Sequence, residues 1–521
     1  MSEERVPVLV VGGGVAGLTA ALLLRRHGVP TLLAEKHRDT SPQPKARRFN
    51  PRSTEIYRSL GLTEEIALAS AELAGFNGMV SGSTLVDARW PELTPDLGAK
   101  VAMHQEMLSL SPGQSILCPQ DVLEPVLRAA AERDGADVRF GTELRALRQD
   151  GDRVTATLAS DAGTITVTAD YVIAADGARS PIRESLGIAR GGIGHLADNL
   201  DVYFRADLTE LVRDKPFNLC QIENPVASGA FVSINGTDRW LFSTSDFPVG
   251  DGRAHELGAD RWADILRTVI GAGDIDVEII SSMPWESGMH VAESFAAGRV
   301  FLAGDAAHAM PPMAAAGANT AIADVHNLAW KLAAVLDGSA GPDLLETYHA
   351  ERYPVGYATA EFSSRVAGHV GDMIKSFTDG KSEAVHPAAA MFGAQYDQGA
   401  FVPDDRGAPP SDRYAPEGRP GTRLPHRWLD RDGTRMSTLD LLGTGFTLLA
   451  GPDGKHWEDA AQRTDIAIAR IDESGWLGDV GLKPDGALLV RPDAIIAWHC
   501  PTACDDPAAE LAAALTTVLR R

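Results

Sequence analysis

Two kinds of apolar pattern divide the chain. Val6 to Val11 is an unbroken apolar, β-branched run, as in a strand covered on both faces, and Thr31 to Ala34 repeats it. Between them Gly12-Gly13-Gly14-Val15-Ala16-Gly17 leads into a helix from Leu18 to Arg26. Tyr171 to Ala174 and Arg299 to Ala303 read as two more buried strands, running into Asp176-Gly177-Ala178-Arg179-Ser180 and Gly304-Asp305-Ala306-Ala307-His308. Pro311-Pro312 and the small-residue run Ala314 to Gly317 follow, opening a helix over 319–336. Asp121-Val122-Leu123-Glu124 predicts a capping box for a helix ending near Arg133. Strands follow at 138–140, 143–147, 154–158 and 165–167, with a hairpin-type break at Gly151-Asp152. The second pattern, strict alternation, runs from about Pro181 to Trp285; 201–205, 230–234 and 239–243 read as strands of a mainly antiparallel sheet. A helix is expected around 346–349. Seven prolines between His386 and His426 mark an irregular connection. Beyond it come strands at 446–449, 466–468, 487–490 and 494–498, the last two split by Arg491-Pro492-Asp493, and a final helix over 508–519.

Composition narrows the field. At roughly 150 residues per domain, 521 residues suggest about three domains. A hydrophobic fraction of 44% against 23% charged is globular, which excludes disorder and collagen-like structure. With 48 Lys+Arg and 71 Asp+Glu the net charge is −23, which repels nucleic acid and anionic membrane. The uncharged stretch from Val8 to Leu24 is shorter than the ~20 residues a span needs and is broken by glycines. Arg25-Arg26 follow it rather than precede it, against the order of a signal peptide. Cys118, Cys220, Cys500 and Cys504 are too few and scattered for a disulfide framework; a cytoplasmic protein with reduced thiols is expected.

The glycine turn between strand and helix carries chemistry. Gly12 permits the tight turn, Gly14 lets a pyrophosphate approach the backbone, and Gly17 packs helix on strand. The helix N-terminus offers N–H groups and positive dipole to phosphate, and Glu35 at the next strand end can accept from a ribose diol. Asp305 falls at a strand's carboxyl end, where open α/β sheets bind ligands. The N–H groups of Gly317, Ala318 and Asn319 fall at a helix N-terminus, a place to stabilise negative charge on a reduced isoalloxazine.

Taken with Pro44-Lys45-Ala46-Arg47-Arg48-Phe49-Asn50-Pro51-Arg52-Ser53-Thr54-Glu55 and Pro119-Gln120-Asp121-Val122-Leu123-Glu124, these segments resemble the class A flavoprotein monooxygenases, the aromatic hydroxylases of the p-hydroxybenzoate hydroxylase fold. The tail, with its Leu-Val-Arg-Pro-Asp phrase, is similar to the thioredoxin-like end of phenol and aromatic polyketide hydroxylases. The resemblance implies an α/β protein: an FAD-binding Rossmann-like (GR2-type) domain in two parts (1–180 and 286–385), a substrate sheet domain (181–285), a connection (386–426), and a thioredoxin-like domain without CxxC (427–521). It implies FAD held by Gly12, Gly14, Val15, Ala16, Gly17, Glu35, Lys36, Lys45 or Arg47, Gln120, Leu144, Asp176, Asp305, Pro312, Gly317, Ala318 and Asn319. Asp176 and Arg179 suit helix capping and salt bridging equally well, and His308 reads as a buried partner of the sheet edge rather than a base. Lys45 stands where many relatives have Arg. Ala314-Ala315 replaces a glycine pair, and alanine fits there only at negative φ. Tyr203, Phe217, Gln221, Phe231, Trp240, Phe242, Trp285 and Met289 are candidates for an apolar substrate pocket, each singly as consistent with plain core.

Only one glycine fingerprint occurs, without a redox cysteine pair, a Trp-x-Trp triplet, a metal cluster or a Gly-x-Ser-x-Gly elbow, so the chemistry rests with the cofactor. The reaction implied is NADH- or NADPH-driven hydroxylation of a phenolic or polycyclic, polyketide-like aromatic with O2, through a C4a-hydroperoxyflavin shielded by the backbone at Pro312 and Gly317, with no side-chain base assigned. Baeyer–Villiger oxygenation of a related ketone, and flavin binding without turnover, stay open. The expected partner is a small aromatic molecule, with no nucleic acid and no membrane; a homo-oligomer is compatible.

Overall fold

The computed structural model describes residues 3–90, 105–245, 257–312, 315–367, 387–406, 414 and 416–521; Ala314 lies outside them. In chain order the elements that build the site are strand Glu3–Val11 (β1), helix Val15–Arg26 (α1), strand Thr31–Glu35 (β2), helix Pro51–Ser59 (α2), helix Gln120–Arg133 (α3) and strand Gly163–Ala174 (β3). Then come strands Arg190–Arg205 (β4), Phe217–Ile222 (β5), Gly229–Ser233 (β6) and Arg239–Thr244 (β7), helix Ala259–Ile270 (α4), and strands Glu278–Ala292 (β8) and Val300–Leu302 (β9). Helices Ala316–Leu336 (α5) and Glu346–Ala367 (α6) complete the set.

The first sheet places β9, β3, β1, β2 and Asp137–Phe140 side by side, all parallel. Parallel pairing forces helical crossovers onto the sheet faces, which explains the unbroken apolar runs. Leu9, Val10, Leu18, Leu22, Ile173, Leu302, Ile322 and Leu328 share one core. The carboxyl ends of β1, β2, β3 and β9 therefore share an edge, bringing Gly12, Glu35, Asp176 and Asp305 together from across the chain.

The second sheet has seven strands, ordered His308–Ala309, β8, β4, β7, β6, β5, Gly78–Gly82. Its pairs are antiparallel except β5 with Gly78–Gly82. It draws on residues outside 181–285, since Gly78–Gly82 comes from far upstream and β8 runs on to Ala292. Helix α4 lies on one face, presenting Trp262, Ile265, Leu266, Val269 and Ile270 at helical spacing. The last 100 or so residues form a four-stranded sheet, ordered Ala467–Arg470, Thr447–Ala450, Ala487–Val490, Ile496–Cys500, with one parallel and two antiparallel pairs. Helices His456–Thr464 and Pro507–Val518 pack against it. This βαβ–ββα order is thioredoxin-like.

Four local expectations are corrected. There is no capping box at Asp121: α3 starts one residue earlier after Pro119, with no side-chain cap, because Asp121 pairs with Arg239 and Glu124 with Ser41. The runs 165–167 and 171–174 are one strand, β3. The helix at 346–349 continues to Ala367 through Pro354. The last strand begins at Ile496 because Ala494 turns at φ 61.

Candidate active site

The dinucleotide end is built by close approach. Gly12 has φ +110, and a Cβ there would run into the Ala175 carbonyl; one on Gly17 would run into the Gly12 carbonyl. Gly14 differs: a Cβ added to it would meet only Glu124 Oε1, at 3.6 Å, so the space before α1 is open. Gly14 is the α1 N-cap and offers no side chain to its first N–H groups. Val15 is buried, and half-buried Ala16 packs on the Gly304 turn. Glu35 bends over the turn; its Oε2 accepts from Gly13 N at 2.6 Å and its Oε1 from His37 N at 2.8 Å. Lys36 is exposed beside it.

The flavin end gathers β3, β9 and α5. Asp176 accepts from Ser180 Oγ at 2.6 Å and Ile182 N at 3.1 Å, so the capping role is the observed one, and burial raises its pKa. Gly304 lies against the Cβ atoms of Ala16 and Ala321, which joins the β9 loop to the starts of α1 and α5. The Asp305 side chain is open to the groove yet surrounded by protein at longer range; that burial raises its pKa, while His308 and Lys45 pull it down. Behind it lies a network that the sequence did not reveal. Fully buried Asp324 accepts from Gly304 N at 3.2 Å and Arg352 Nε at 2.9 Å, and bonds His308 Nε2 at 2.7 Å. Burial works to raise Asp324, but His308 and Arg352 outweigh it and hold its pKa down. His308 is thus the buried partner expected.

At the start of α5, Ala315 adopts φ 50 and ψ 32, so the expectation of a negative φ fails. The loop keeps a left-handed turn despite its Cβ, at a cost of about 1–2 kcal/mol. Ala315 N donates to the Pro312 carbonyl at 2.9 Å, fixing the turn. Asn319 is a clamp: its Oδ1 accepts from Asn50 N and Ser53 Oγ, and its Nδ2 donates to the Ala315 and Arg48 carbonyls. Its side-chain amide is fully engaged with protein. Ala318 packs half-buried on the core, and before Gly317 the nearest atom to an added Cβ is Met310 Cγ, at 3.9 Å. Open space at Gly14 and Gly317, an acid facing the groove at Asp305 and two converging helix N-termini fit FAD.

The 44–48 segment divides its cations. Lys45 is exposed on the Asp305 side, whereas Arg47 turns away and donates to the Ser233 carbonyl and to Asn218 of the substrate sheet. Burial, with Arg48 adding to it, lowers the Arg47 pKa to about 9. Gln120 Oε1 accepts from Ala46 N at 3.2 Å, pinning this segment to α3. Leu144 packs half-buried against the first core.

The substrate sheet has two unlike faces. Phe231, Trp240 and Phe242 point to α4 with Phe217, which the register shift before Leu219 turns the same way; all four are fully buried. They are core and not pocket, because alternation put them on the face that α4 covers. Met289 is also core, packed within the flavin unit. The opposite face carries the cross-strand row Gln221, Ala230, Ser243, Asp201, Met283 and the next row Val232, Leu241, Tyr203, Ser281. Trp285 shares it, two residues from Met283. This face meets the flavin unit: Gln43 Nε2 donates to Ser281 Oγ at 2.9 Å, and Arg239 Nη1 to Asp121 Oδ2 at 3.2 Å and Tyr203 Oη at 3.5 Å. Sequence reasoning missed Asp121, Arg239 and Asp201 here. Asp201 Oδ1 is buried without a hydrogen bond, and burial raises its pKa against Ser243 and Trp285.

A family described as FAD binding domain matches residues 5–363, and one described as aromatic-ring hydroxylase, C-terminal, matches 417–521. The chain is a class A FAD-dependent aromatic hydroxylase. The hydroxylase is 40% identical to a putative polyketide hydroxylase of Streptomyces halstedii, over 99% of this chain and 97% of that one. It is 39% identical to the tetracenomycin A2 monooxygenase-dioxygenase of Streptomyces glaucescens, over 100% and 98%. Aklavinone-11 hydroxylase, solved with FAD and aklavinone, superposes with a TM-score of 0.89 at 33% identity, covering 100% of both chains. The hydroxylase is therefore a flavin-dependent aromatic monooxygenase that uses FAD, O2 and a reductant of the flavin. In its tail, burial pushes Cys500 up to about 11, with the neighbouring Cys504 adding to the rise, and the Cys500 Sγ–H donates to the Thr502 carbonyl. Among the described residues no group of acids, His and Cys could hold a metal, and no helix is long and apolar enough to cross a membrane.

Proposed function

We propose that the hydroxylase oxygenates a phenolic ring of a polycyclic, aromatic-polyketide substrate, bound between the flavin groove and the Gln221–Asp201–Tyr203 face of the substrate sheet. The observation that carries this reading is that face itself. It offers apolar surface (Val232, Leu241, Met283, Trp285) around a few polar groups, among them a buried carboxyl with an unsatisfied oxygen. Relatives named for tetracenomycin and aklavinone support the size and class of ligand. FAD held there would supply the oxygen-activation chemistry, with NADH or NADPH as the source of electrons and O2 as the source of the transferred oxygen.

The chain's own work is to hold, orient and exclude. Gly14, Glu35 and the α1 N-terminus hold the dinucleotide arm, Asp305 and Lys45 the middle of the cofactor, and the α5 N-terminus at Gly317 the ring. Asp201 accepts the phenol proton, since a raised carboxyl pKa brings it closer to the phenol's and makes it the stronger base. Arg239, fixed by Asp121, sets Tyr203 against the ring. The test is NAD(P)H oxidation by the FAD-loaded enzyme with a panel of polycyclic phenols. Expected are substrate-stimulated oxygen uptake and a ring-hydroxylated product by NMR. A lactone product would move the reading to Baeyer–Villiger chemistry, and no stimulation by any phenol would overturn it.

A further inference from the structure

A second polar site lies away from the flavin, where α1, α2 and α5 meet the C-terminal domain. It is a cavity of about 200 Å³ lined by Arg26, Arg52, Arg58 and His326 on one side and by Asp440 and Pro492 among others on the far side. Three observations point to a ligand. His326 is 8% exposed, faces this cavity and makes no hydrogen bond among the described residues, although buried imidazoles are normally satisfied. The guanidinium groups are tethered with donors to spare. Arg58 uses Nε and Nη2 on Asp440, Arg52 uses Nη1 on Glu55 and Nη2 on the Asp493 carbonyl, and Arg26 uses Nη1 on the Ser59 carbonyl. Charge is unbalanced here. Three guanidinium groups line the cavity against two carboxylates. Asp440 answers Arg58, and Glu55 is shared between Arg52 and Arg423 behind the wall, which leaves Arg26 without a carboxylate among the described residues in a chain of net charge −23.

We infer that this interdomain cavity binds an oxyanion, a phosphate group held by Arg26, Arg52, Arg58 and His326. Rigid, partly satisfied guanidinium forks beside a neutral imidazole donor suit a tetrahedral anion better than a cation or an apolar ligand. The site is not the FAD phosphate site. Arg26 ends α1 and Gly14 begins it, and a 12-residue helix spans about 18 Å. Because its walls come from both units, a bound phosphate ties the C-terminal domain to α2. The phosphate has two sources, free inorganic phosphate or the 2′-phosphate of NADPH.

The test uses the FAD-loaded full chain and needs no aromatic substrate, so its failure is separate from failure of the proposed hydroxylation. Inorganic phosphate should raise Tm saturably, while sodium chloride at equal ionic strength should not. Arg26→Gln and His326→Gln should each weaken half-saturation at least ~10-fold with the flavin spectrum unchanged, as expected for losing one charge-assisted contact. Arg26 is exposed at the rim, so its variant folds even if His326→Gln does not. If the source is the nucleotide, phosphate competes with NADPH and Arg26→Gln raises the KM for NADPH but not NADH. If it is free phosphate, neither KM moves. No saturable shift beyond the chloride control, or unchanged half-saturation in Arg26→Gln, overturns the site.

Discussion

The flavin unit meets its two neighbours in opposite ways. Toward the C-terminal domain it presents a fully buried ionic core: Glu351 of α6 accepts from Lys331 Nζ at 2.8 Å, Arg491 Nη1 at 2.7 Å, Arg491 Nη2 at 2.9 Å, Asn327 and Ala400 N. Toward the substrate sheet it offers separate, half-buried links that share no common charged core: Arg239 to Asp121, Gln43 to Ser281, and Arg47 to Ser233 and Asn218. A buried carboxylate surrounded by donors locks its elements, because every alternative leaves a charge unpaired. Links that water can replace leave a face that must admit a ligand free to do so. The C-terminal domain is thus a fixed brace, and the substrate sheet is the side built for access.

The contrast breaks most visibly at Glu351. Glu351→Ala should cost about 3–5 kcal/mol in denaturant unfolding, by stranding Lys331 and Arg491. Burial works to raise the Glu351 pKa, but Arg491 and Lys331 outweigh it and hold it well below the usual carboxylate range. Its contribution is therefore complete above pH 4.5 and is lost as the pH falls toward the folded value, because the unfolded chain takes up the proton first. Glu351→Gln should flatten the acid limb of the stability profile. Burial holds Lys331 down to about 8 even though Glu351 pulls it up, with Arg491 repelling it.

Next in size, Phe242→Ala on the helix-side face should cost about 3–5 kcal/mol, since its ring packs 4.9 Å from Phe231 under α4. Its neighbour Leu241 on the other face should behave differently: Leu241→Ala should raise the substrate KM by more than it lowers Tm. Equal behaviour of the two would erase the distinction between core and pocket face. At the access side, Arg239→Gln should change stability by less than about 1 kcal/mol and lower kcat/KM about 10-fold through a looser Tyr203. The smallest effect is expected at Ala315→Gly, which relieves the φ 50 turn and should stabilise by about 0.5–1 kcal/mol in thermal unfolding with FAD bound.

What could be read in the sequence follows the range of the interaction. Gly12 to Gly17 and Glu35 announce a nucleotide turn because the geometry that requires them spans one strand, one turn and one helix. Lys45 and Arg47, two residues apart, could not be separated that way; only the packed sheet shows that Arg47 leaves the groove for Ser233. Alternation along β7 did announce two faces, since Trp240 and Phe242 flank Leu241. Which face was the pocket depended on where α4 settled. Aromatic content pointed to Phe217, Phe231, Trp240 and Phe242, which went to the covered side, while the polar groups Asp201 and Arg239 went unnoticed. The Asp324–His308–Arg352 and Glu351–Arg491 networks link residues with no shared local pattern.

The amino-acid order alone determined a nucleotide-binding turn, because strand–turn–helix fingerprints are local and need specific residues at fixed spacing, and its resemblance to the aromatic hydroxylases carried the flavin and the reaction class. Only the tertiary structure decided which side of the substrate sheet faces the flavin, that Asp201 is left with an unpaired oxygen there, and that α1, α2 and α5 enclose a basic cavity against the C-terminal domain. Burial and facing depend on what packs on top of a strand, and that is contributed by residues tens to hundreds of positions away.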